Sequence, residues 1–456
     1  MKPTAREIAL SVLTRVEEGQ AYVNLALQEA LGSSSLDVRD RNLCTELVYG
    51  TVQRQRPLDL VISAHSSQPV DKLQSIVRVL LRLTLYQLVY LERVPAYAAV
   101  NEAVQLAKRK VPRAAGFVNA VLRAVMRAGS PSQVLQRLID RMPSEVDRLA
   151  TQLSVPSWLM EKLIHQYGEE RAVAILAAQN RRAPISLRVN RRKSDRDALV
   201  VELTEQLGMG MVEPSVLSES GIRITGSLDI AEFNPFREGK VSVQDEAAML
   251  VAPLLNAQRG ERILDVCAAP GGKTTHVAEW MDDAGQIDAW DVHLHKMILL
   301  KSAAARLGLE SIRPRLCDGR TEPVADDFLY DAVLVDAPCT GFGVLRHRPD
   351  IRWRRKASDV TALSALQREL LVASAKRVRK GGRLVYCTCT LLKEENEQVI
   401  ENFLASRPDF HLLPPTESDI SASVLSEIRV DTGVQVTPEM FSTDGFYISR
   451  LQRSLS

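Results

Sequence analysis

Between Thr4 and Arg127 apolar residues recur at helical spacing: Ile8, Leu10 and Leu13 first, then Leu43, Leu47 and Val48, then Leu80, Leu83 and Leu88. The pattern predicts an all-helical segment. Gly129-Ser-Pro-Ser132 is rich in turn formers and reads as a linker. Residues 136–235 change character, with helices predicted at 158–167, 170–179 and 195–207 and strands at 185–189 and 221–225. From Arg262 onward short apolar strands alternate with helical patterns, at 262–266, 286–290, 312–316, 331–335 and 383–386. That alternation predicts an α/β fold, a parallel sheet with helices on both faces, whose ligand lies beyond the carboxyl ends of the strands. The chain therefore divides into an all-helical domain over 1–135, a small α/β domain over 136–235 and a larger α/β domain over 236–456.

Composition narrows the class. Of 456 residues 45% are hydrophobic and 25% charged, which excludes a disordered, collagen-like or disulfide-scaffold protein. The formal net charge is +2, so affinity for nucleic acid has to come from local patches. One such patch lies within 103–139, where Lys108, Arg109, Lys110, Arg113, Arg123, Arg127 and Arg137 stand without an acid. Arg181, Arg182, Arg188, Arg191, Arg192 and Lys193 bracket the first predicted strand in the same way, and Arg346, His347, Arg348, Arg352, Arg354, Arg355 and Lys356 accompany Trp353. The last group, basic and aromatic together, suits an RNA backbone and stacked bases. Solvated helix faces are the alternative for each cluster. The opening MKPTAREIALSVL mixes charge into its apolar residues, so it does not read as a secretory signal, and the expected location is the cytoplasm. No run approaches the ~20 apolar residues of a membrane span, so no membrane partner is expected. Six cysteines without a CxxC pair read as reduced thiols, with no metal site.

Candidate chemistry gathers at the predicted strand ends. The first strand runs into Asp265-Val-Cys-Ala-Ala-Pro-Gly-Gly-Lys-Thr274, a small-residue turn opening a helix, where a nucleotide-like ligand can approach the backbone. Gly272-Lys273-Thr274 matches the end of a P-loop, but that motif requires Gly where this chain has Cys267. Asp291, 26 residues after Asp265, ends the second strand, where a carboxylate can accept both hydroxyls of a ribose. With Asp318 and Asp336 it forms an ordered set that fits S-adenosylmethionine better than a dinucleotide. The sharpest signals are Asp336-Ala-Pro-Cys-Thr-Gly341 and Tyr386-Cys-Thr-Cys-Thr390, which bring Cys339 and Cys389 to one cavity. Cys267, Cys317 and Cys387 read as small buried hydrophobes.

Residues 265–276, 336–353 and 386–397 resemble motifs of the Sun family of RNA cytosine carbon-5 methyltransferases. Asp40-Arg-Asn-Leu-Cys-Thr-Glu-Leu-Val-Tyr-Gly50 and Phe117-Val-Asn-Ala-Val-Leu-Arg123 resemble a NusB-like RNA-binding domain. Val243–Ala248 and Asp444-Gly-Phe-Tyr447 also fall where the family has comparable segments. The resemblance implies a Rossmann-like S-adenosylmethionine-dependent methyltransferase sheet, preceded by an all-α NusB-like domain and a small RRM-like α/β domain. The implied reaction transfers a methyl group to carbon 5 of a cytosine in small-subunit (16S) ribosomal RNA, at position 967. That carbon is not nucleophilic enough to attack a methyl sulfonium, and thiolate addition at carbon 6 creates the enamine that is. By resemblance the nucleophile is Cys389 and Cys339 assists breakdown of the adduct; exchange of the two roles is the alternative. Asp336 contacts the polar edge of the flipped base and borders the cofactor. The cofactor loop falls on Cys267, Ala268, Ala269, Pro270, Gly271, Gly272 and Lys273, the ribose contact on Asp291 and an adenine-side contact on Asp318; Lys273 capping its own helix is the structural alternative. The chain departs from the family in its Arg-His-Arg order at 346–348, in Thr390 for Ser and in Lys393 for Pro, none of which removes a thiol. Small-subunit ribosomal RNA is the implied partner and a monomer the default. The competing reading is a NusB-type RNA-binding scaffold without methyl transfer.

Overall fold

Thr4 opens the first helix, Ala5–Glu17, with a reciprocal cap: its hydroxyl accepts from the Glu7 amide while the Glu7 carboxylate accepts from the Thr4 amide. In this computed structural model, which describes residues 3–226, 228–321 and 329–455, the chain forms two compact units. The first comprises Met1–Asn180 with Leu345–Arg355, the second Arg181–Val344 with Lys356–Ser456.

The first unit is helical. Leu10, Leu13, Leu47, Val48, Leu80 and Leu83, on the helices Ala5–Glu17, Val38–Gln53 and Ser75–Tyr90, meet in one core, where burying each side chain contributes about 1.5–3 kcal/mol. Ser75–Tyr90 is buried on most of its faces, so it also buries Arg82, which forks onto both Asp59 oxygens at 2.6 and 2.8 Å and reaches Glu17 at 2.9 Å. Gly50 is required where it stands, because a Cβ there would lie 2.0 Å from the Tyr86 ring. The expected linker at 129–132 is instead the entry to a helix, Pro131–Asp140: proline occupies its first turn, and Leu135 and Ile139 join the same core. The helices Ser157–Tyr167 and Glu169–Gln179 also belong to this unit.

Residues 345–355 correct a sequence expectation. Arg352, Trp353 and Arg354 were assigned to an RNA-facing surface, yet Arg352 is fully buried and the Trp353 ring packs on the helical core. Trp353 Nε1 donates to the Val52 carbonyl at 2.8 Å, and Arg352 Nη1 donates to the Ser154 carbonyl and to Asn180 Oδ1, each at 3.0 Å. Arg354 donates to the Ala21 carbonyl and covers the Tyr22 ring at 4.6 Å. Val52 lies in the last turn of Val38–Gln53 and Ser154 is the C-cap of Glu145–Leu153, so both carbonyls lack intrahelical donors. Cation density along the chain cannot show that such acceptors are waiting.

Among its described residues the second unit holds thirteen strands: β1 Ile185–Val189, β2 Val212–Pro214, β3 Gly221–Ile224, β4 Val241–Val243, β5 Arg262–Val266, β6 Gln286–Asp291, β7 Ile312–Leu316, β8 Tyr330–Asp336, β9 Val378–Thr388, β10 Phe410–Leu412, β11 Arg429–Val430, β12 Gly433–Val436 and β13 Phe446–Arg453. β2-β3-β1-β4 form a small antiparallel sheet. The large sheet runs β11-β12-β13-β9-β8-β5-β6-β7, with β10 on β13; β9, β8, β5, β6 and β7 are parallel neighbours and β13 is antiparallel to β9. The register sets Asp265 beside Leu334, and Asp336 beside Cys387, so the reactive strand ends share one rim.

Arg188 also departs from expectation. Instead of facing a polyanion from β1, it is fully buried and forks onto Glu279 at 2.7 and 3.0 Å, with further bonds to the Gly272 carbonyl at 2.7 Å, to Thr275 at 3.1 Å and to Gln244. Of its neighbours, Arg192 donates to the Gly308 carbonyl and Lys193 to the Glu238 and Arg306 carbonyls. The acids and carbonyls that hold them lie far along the chain, which is why the stretch looked free of counter-charge.

Candidate active site

At the end of β5 the chain turns sharply, with Cys267 at φ +67° and Gly271 at +105°. A Cβ at Gly271 would meet Leu300 Cγ at 2.9 Å, whereas one at Gly272 would meet nothing within 4 Å. The backbone of the loop thus packs on the protein at one glycine and faces open space at the next. The Ala268 amide donates to the Trp290 carbonyl at 2.8 Å and the Ala269 amide to Asp291 Oδ2 at 3.2 Å, tying the loop to the end of β6. Asp291 Oδ1 accepts from the His293 amide at 2.8 Å. Burial pushes the Cys267 thiol well above its ordinary value, with Asp336 adding to the effect, which favours its protonated form. Asp318 sits in a separate ion pair with Arg320 at 2.7 Å, whose hydrogen bonds hold its carboxyl below the usual range.

Asp265, one residue before the end of β5, opens the turn noted in the sequence but was given no role there. Thr274 donates to its Oδ2 at 2.6 Å, but Oδ1 is buried without a hydrogen-bond partner among the described residues. Burial pushes this carboxyl up to about 7, against the pull of the Thr274 hydrogen bond. An orphaned buried acceptor beside a glycine turn open on one side fits a small ligand carrying an ammonium group.

Cys339 Sγ and Cys389 Sγ lie 3.4 Å apart, although 50 residues separate them in the chain. The pair follows from parallel strand pairing, since β8 and β9 deliver their carboxyl ends side by side. Lys273 Nζ lies 2.8 Å from Asp336 Oδ2 and 5.0 Å from the centre of the Phe446 ring. Burial pulls its ammonium down, but Asp336, Cys387 and Cys389 together outweigh that and leave Lys273 above its ordinary value, so its charge is coupled to both thiols. Cys387 Sγ donates to the other Asp336 oxygen at 3.6 Å, and burial, then Asp336, push this thiol well up. Cys339 is likewise well above its ordinary value, through its hydrogen bond to Cys389 and through burial.

The loops around the thiols are closely packed. The Gly343 amide donates to the Cys389 carbonyl and the Gly445 amide to the Gly343 carbonyl, each at 2.9 Å, and a Cβ on Gly343 would lie 2.0 Å from the Gly445 oxygen. Glu395, fully buried, accepts through Oε1 from the Thr340 amide at 2.8 Å and Gln367 Nε2 at 3.0 Å. Its Oε2 accepts from Thr340 Oγ1 at 2.5 Å and Thr390 Oγ1 at 3.2 Å. The structure therefore gathers Asp336, Lys273, Cys339 and Cys389, joins Ala269 to Asp291, and pairs Asp318 with Arg320. Sequence reasoning missed Asp265, Glu395, Thr340, Thr390 and Gln367; only the short distance from Thr390 to Glu395 along the chain hinted at the last group.

Comparison with known proteins now decides the family. Residues 252–452 match the family model of the 16S rRNA methyltransferase RsmB/F, residues 3–127 that of the NusB family, and residues 155–231 that of the RsmF/B-like ferredoxin-like domain. The chain is 40% identical over 454 residues to a probable ribosomal RNA small subunit methyltransferase B of Bacillus subtilis, covering 99% of each. The chain belongs to the ribosomal RNA small subunit methyltransferase B family. A second member, from Pseudomonas putida, is 37% identical over 448 residues, covering 98% of each chain. Among solved structures, PH0851 superimposes with a TM-score of 0.81 at 28% identity, covering 99% of this chain and all of that one. A methyltransferase homologue from Pyrococcus horikoshii superimposes with a TM-score of 0.57 at 27% identity over 68% of this chain and 99% of that one. An all-α NusB domain thus precedes an S-adenosylmethionine-dependent methyltransferase sheet in this chain, as the family resemblance implied. Among the described residues no helix is long and apolar enough to cross a membrane.

Proposed function

We propose that this methyltransferase acts on carbon 5 of a cytosine in small-subunit ribosomal RNA, at position 967 of the 16S RNA, through a covalent bond between Cys389 and carbon 6 of the base. The observation that carries the reading is the 3.4 Å approach of Cys339 and Cys389 beside the Lys273–Asp336 pair. A single nucleophile would need only one thiol.

The donor-binding reading rests on Cys267–Lys273, Asp291 and Asp318, with Asp265 added for its orphaned oxygen. When bound, S-adenosylmethionine supplies an electrophilic methyl group. Lys273 places a positive charge near Cys389 and so favours its thiolate, which adds to carbon 6 as the ring π electrons shift toward carbon 5. Asp336 accepts a hydrogen bond from the polar edge of the base and balances positive charge on the ring. After methylation, solvent water takes the carbon-5 proton, the electrons of that C–H bond re-form the ring double bond, and the Cys389–carbon 6 bond breaks with its electron pair returning to the Cys389 sulfur as thiolate. Cys339, held in its protonated form, then donates a hydrogen bond to the departing Cys389 sulfur. The N-terminal helical domain holds the RNA through exposed Lys108, Lys110, Arg113, Arg123 and Arg127. An enzyme of this substrate works in the cytoplasm.

The test is a denaturing gel of Cys339→Ser and Cys389→Ser proteins purified from cells. We expect a nuclease-sensitive, slower-migrating RNA adduct in Cys339→Ser alone. The reverse pattern would exchange the two roles, and no adduct in either would favour an RNA-binding scaffold.

A further inference from the structure

The two cysteines sit on loops that follow different strands, so their separation needs a device that couples those loops. We propose that Glu395 is a positioning residue whose buried carboxylate clasps the Cys339 loop to the Cys389 loop and thereby sets the distance between the thiols. The inference deepens the two-thiol reading above and rests on it.

The residues after the two cysteines carry the clasp. Thr340 follows Cys339 and Thr390 follows Cys389, and their hydroxyls lie 2.8 Å apart over one oxygen of Glu395. The other oxygen takes the Thr340 amide, which orients the peptide joining Thr340 to Cys339, and the Gln367 amide group. Gln367 in turn donates to the Pro338 carbonyl at 2.9 Å, on the opposite side of Cys339. Backbone at the far end of the clasp is fixed as well: Tyr386 OH donates to the Glu395 carbonyl at 2.6 Å, and Asn396 Nδ2 donates to the Thr390 carbonyl at 3.2 Å. Thr340, Thr390, Glu395, Gln367 and Asn396 are all fully buried, so water cannot replace these bonds cheaply. These bonds converge on the peptides next to the two thiols, and a shift of about 1 Å there suffices to slow a reaction a hundredfold.

The experiment measures methyl transfer by the full-length chain to small-subunit ribosomal RNA lacking the modification, with kcat and the KM for RNA and for S-adenosylmethionine determined separately. For Glu395→Ala and Thr390→Val we expect kcat to fall ten- to a hundredfold while both KM values stay within about threefold. Thr390→Ser, which restores the hydroxyl, should recover most of the rate lost in Thr390→Val. The double variant Glu395→Ala with Thr390→Val should be no slower than Glu395→Ala alone, because both break one network. Raised KM at unchanged kcat, multiplying effects in the double variant, or a Thr390→Ser rate as low as that of Thr390→Val would overturn the clasp. The two Thr390 variants differ mainly by one buried hydroxyl and decide the matter even if Glu395→Ala does not fold. Absence of methyl transfer by the wild-type chain would instead sink the underlying reading, and the clasp with it.

Discussion

Lys273 Nζ lies 2.8 Å from Asp336 Oδ2, so the lysine of the glycine turn points across the sheet rim to the end of β8, which leads into the Cys339 loop. A lysine capping its own helix would not make this contact. The positive charge also acts on Cys389, so its removal should make that thiol harder to ionise. In a Cys339→Ser background, Lys273→Met should slow alkylation of Cys389 by iodoacetamide at pH 7 at least tenfold. In the otherwise intact enzyme it should lower kcat by on the order of a hundredfold or more, with the acidic limb of the pH profile moved upward. An unchanged alkylation rate would show that Lys273 serves only to hold Asp336.

Asp265 makes the ligand-free protein sensitive to pH near neutrality. Its folded pKa of about 7 stands above the unfolded carboxyl value, so the fold binds this proton more tightly than the unfolded chain does. The sign follows: its contribution to stability is greatest at low pH and declines as pH rises toward and through 7, by a few kcal/mol in all. Asp265→Asn should flatten the fall in melting temperature between pH 6 and 8. A ligand ammonium prefers the ionised carboxylate. Calorimetry should therefore find S-adenosylhomocysteine binding wild type more tightly at pH 8 than at pH 6, and the Asn variant showing little of that rise.

The sheet was legible because β5 and β8 are short, mainly apolar runs that lead into polar or reactive residues and β6 ends in Asp291, whereas β7, Ile-Arg-Pro-Arg-Leu, is mixed; the reactive rim was legible because such endings are where open parallel sheets place ligands. The antiparallel edge was not. β10, β11 and β12 have between two and four residues, too few for a periodic signal, and β13 mixes Arg450 and Arg453 into its run. Arg188 and Arg352 were misread for one shared reason: their partners, Glu279 and the carbonyl of Ser154, are 91 and 198 residues away. Glu395 carried only the cue of lying five residues after Thr390, because its other contacts depend on two loops meeting. Charge density along a chain predicts a surface only when tertiary partners are absent.

The placement of Arg188 yields a prediction that separates the two readings of that cluster. As an RNA contact its loss would weaken binding and reduce the salt dependence of affinity. As the partner of Glu279, its replacement by Met leaves a buried carboxylate unpaired, at a cost of about 3–5 kcal/mol. We expect Arg188→Met to lower the denaturation midpoint sharply and to leave the salt slope of RNA binding unchanged. Adding Glu279→Leu should recover part of the lost stability, which an RNA-contact role does not explain.

Gly343 supplies a probe of the thiol loops that needs no change in charge. Its missing side chain admits the Gly445 oxygen to 2.0 Å and the Cys389 oxygen to 2.7 Å of the position a Cβ would take. Those neighbours are backbone, so they cannot turn aside as a flexible side chain would, and Ala at 343 must push apart the segments carrying Cys389 and Gly445. Gly343→Ala should therefore lower kcat a hundredfold or more. Its effect on S-adenosylhomocysteine affinity should stay within a fewfold, because Cys267–Lys273 and Asp291 lie on other strand ends. A matched loss of cofactor affinity and rate would mean that the strain spreads across the sheet rim. Retention of wild-type kcat would mean that the backbone around Cys389 relaxes without moving its thiol, and that the close glycine packing has no part in holding the nucleophile.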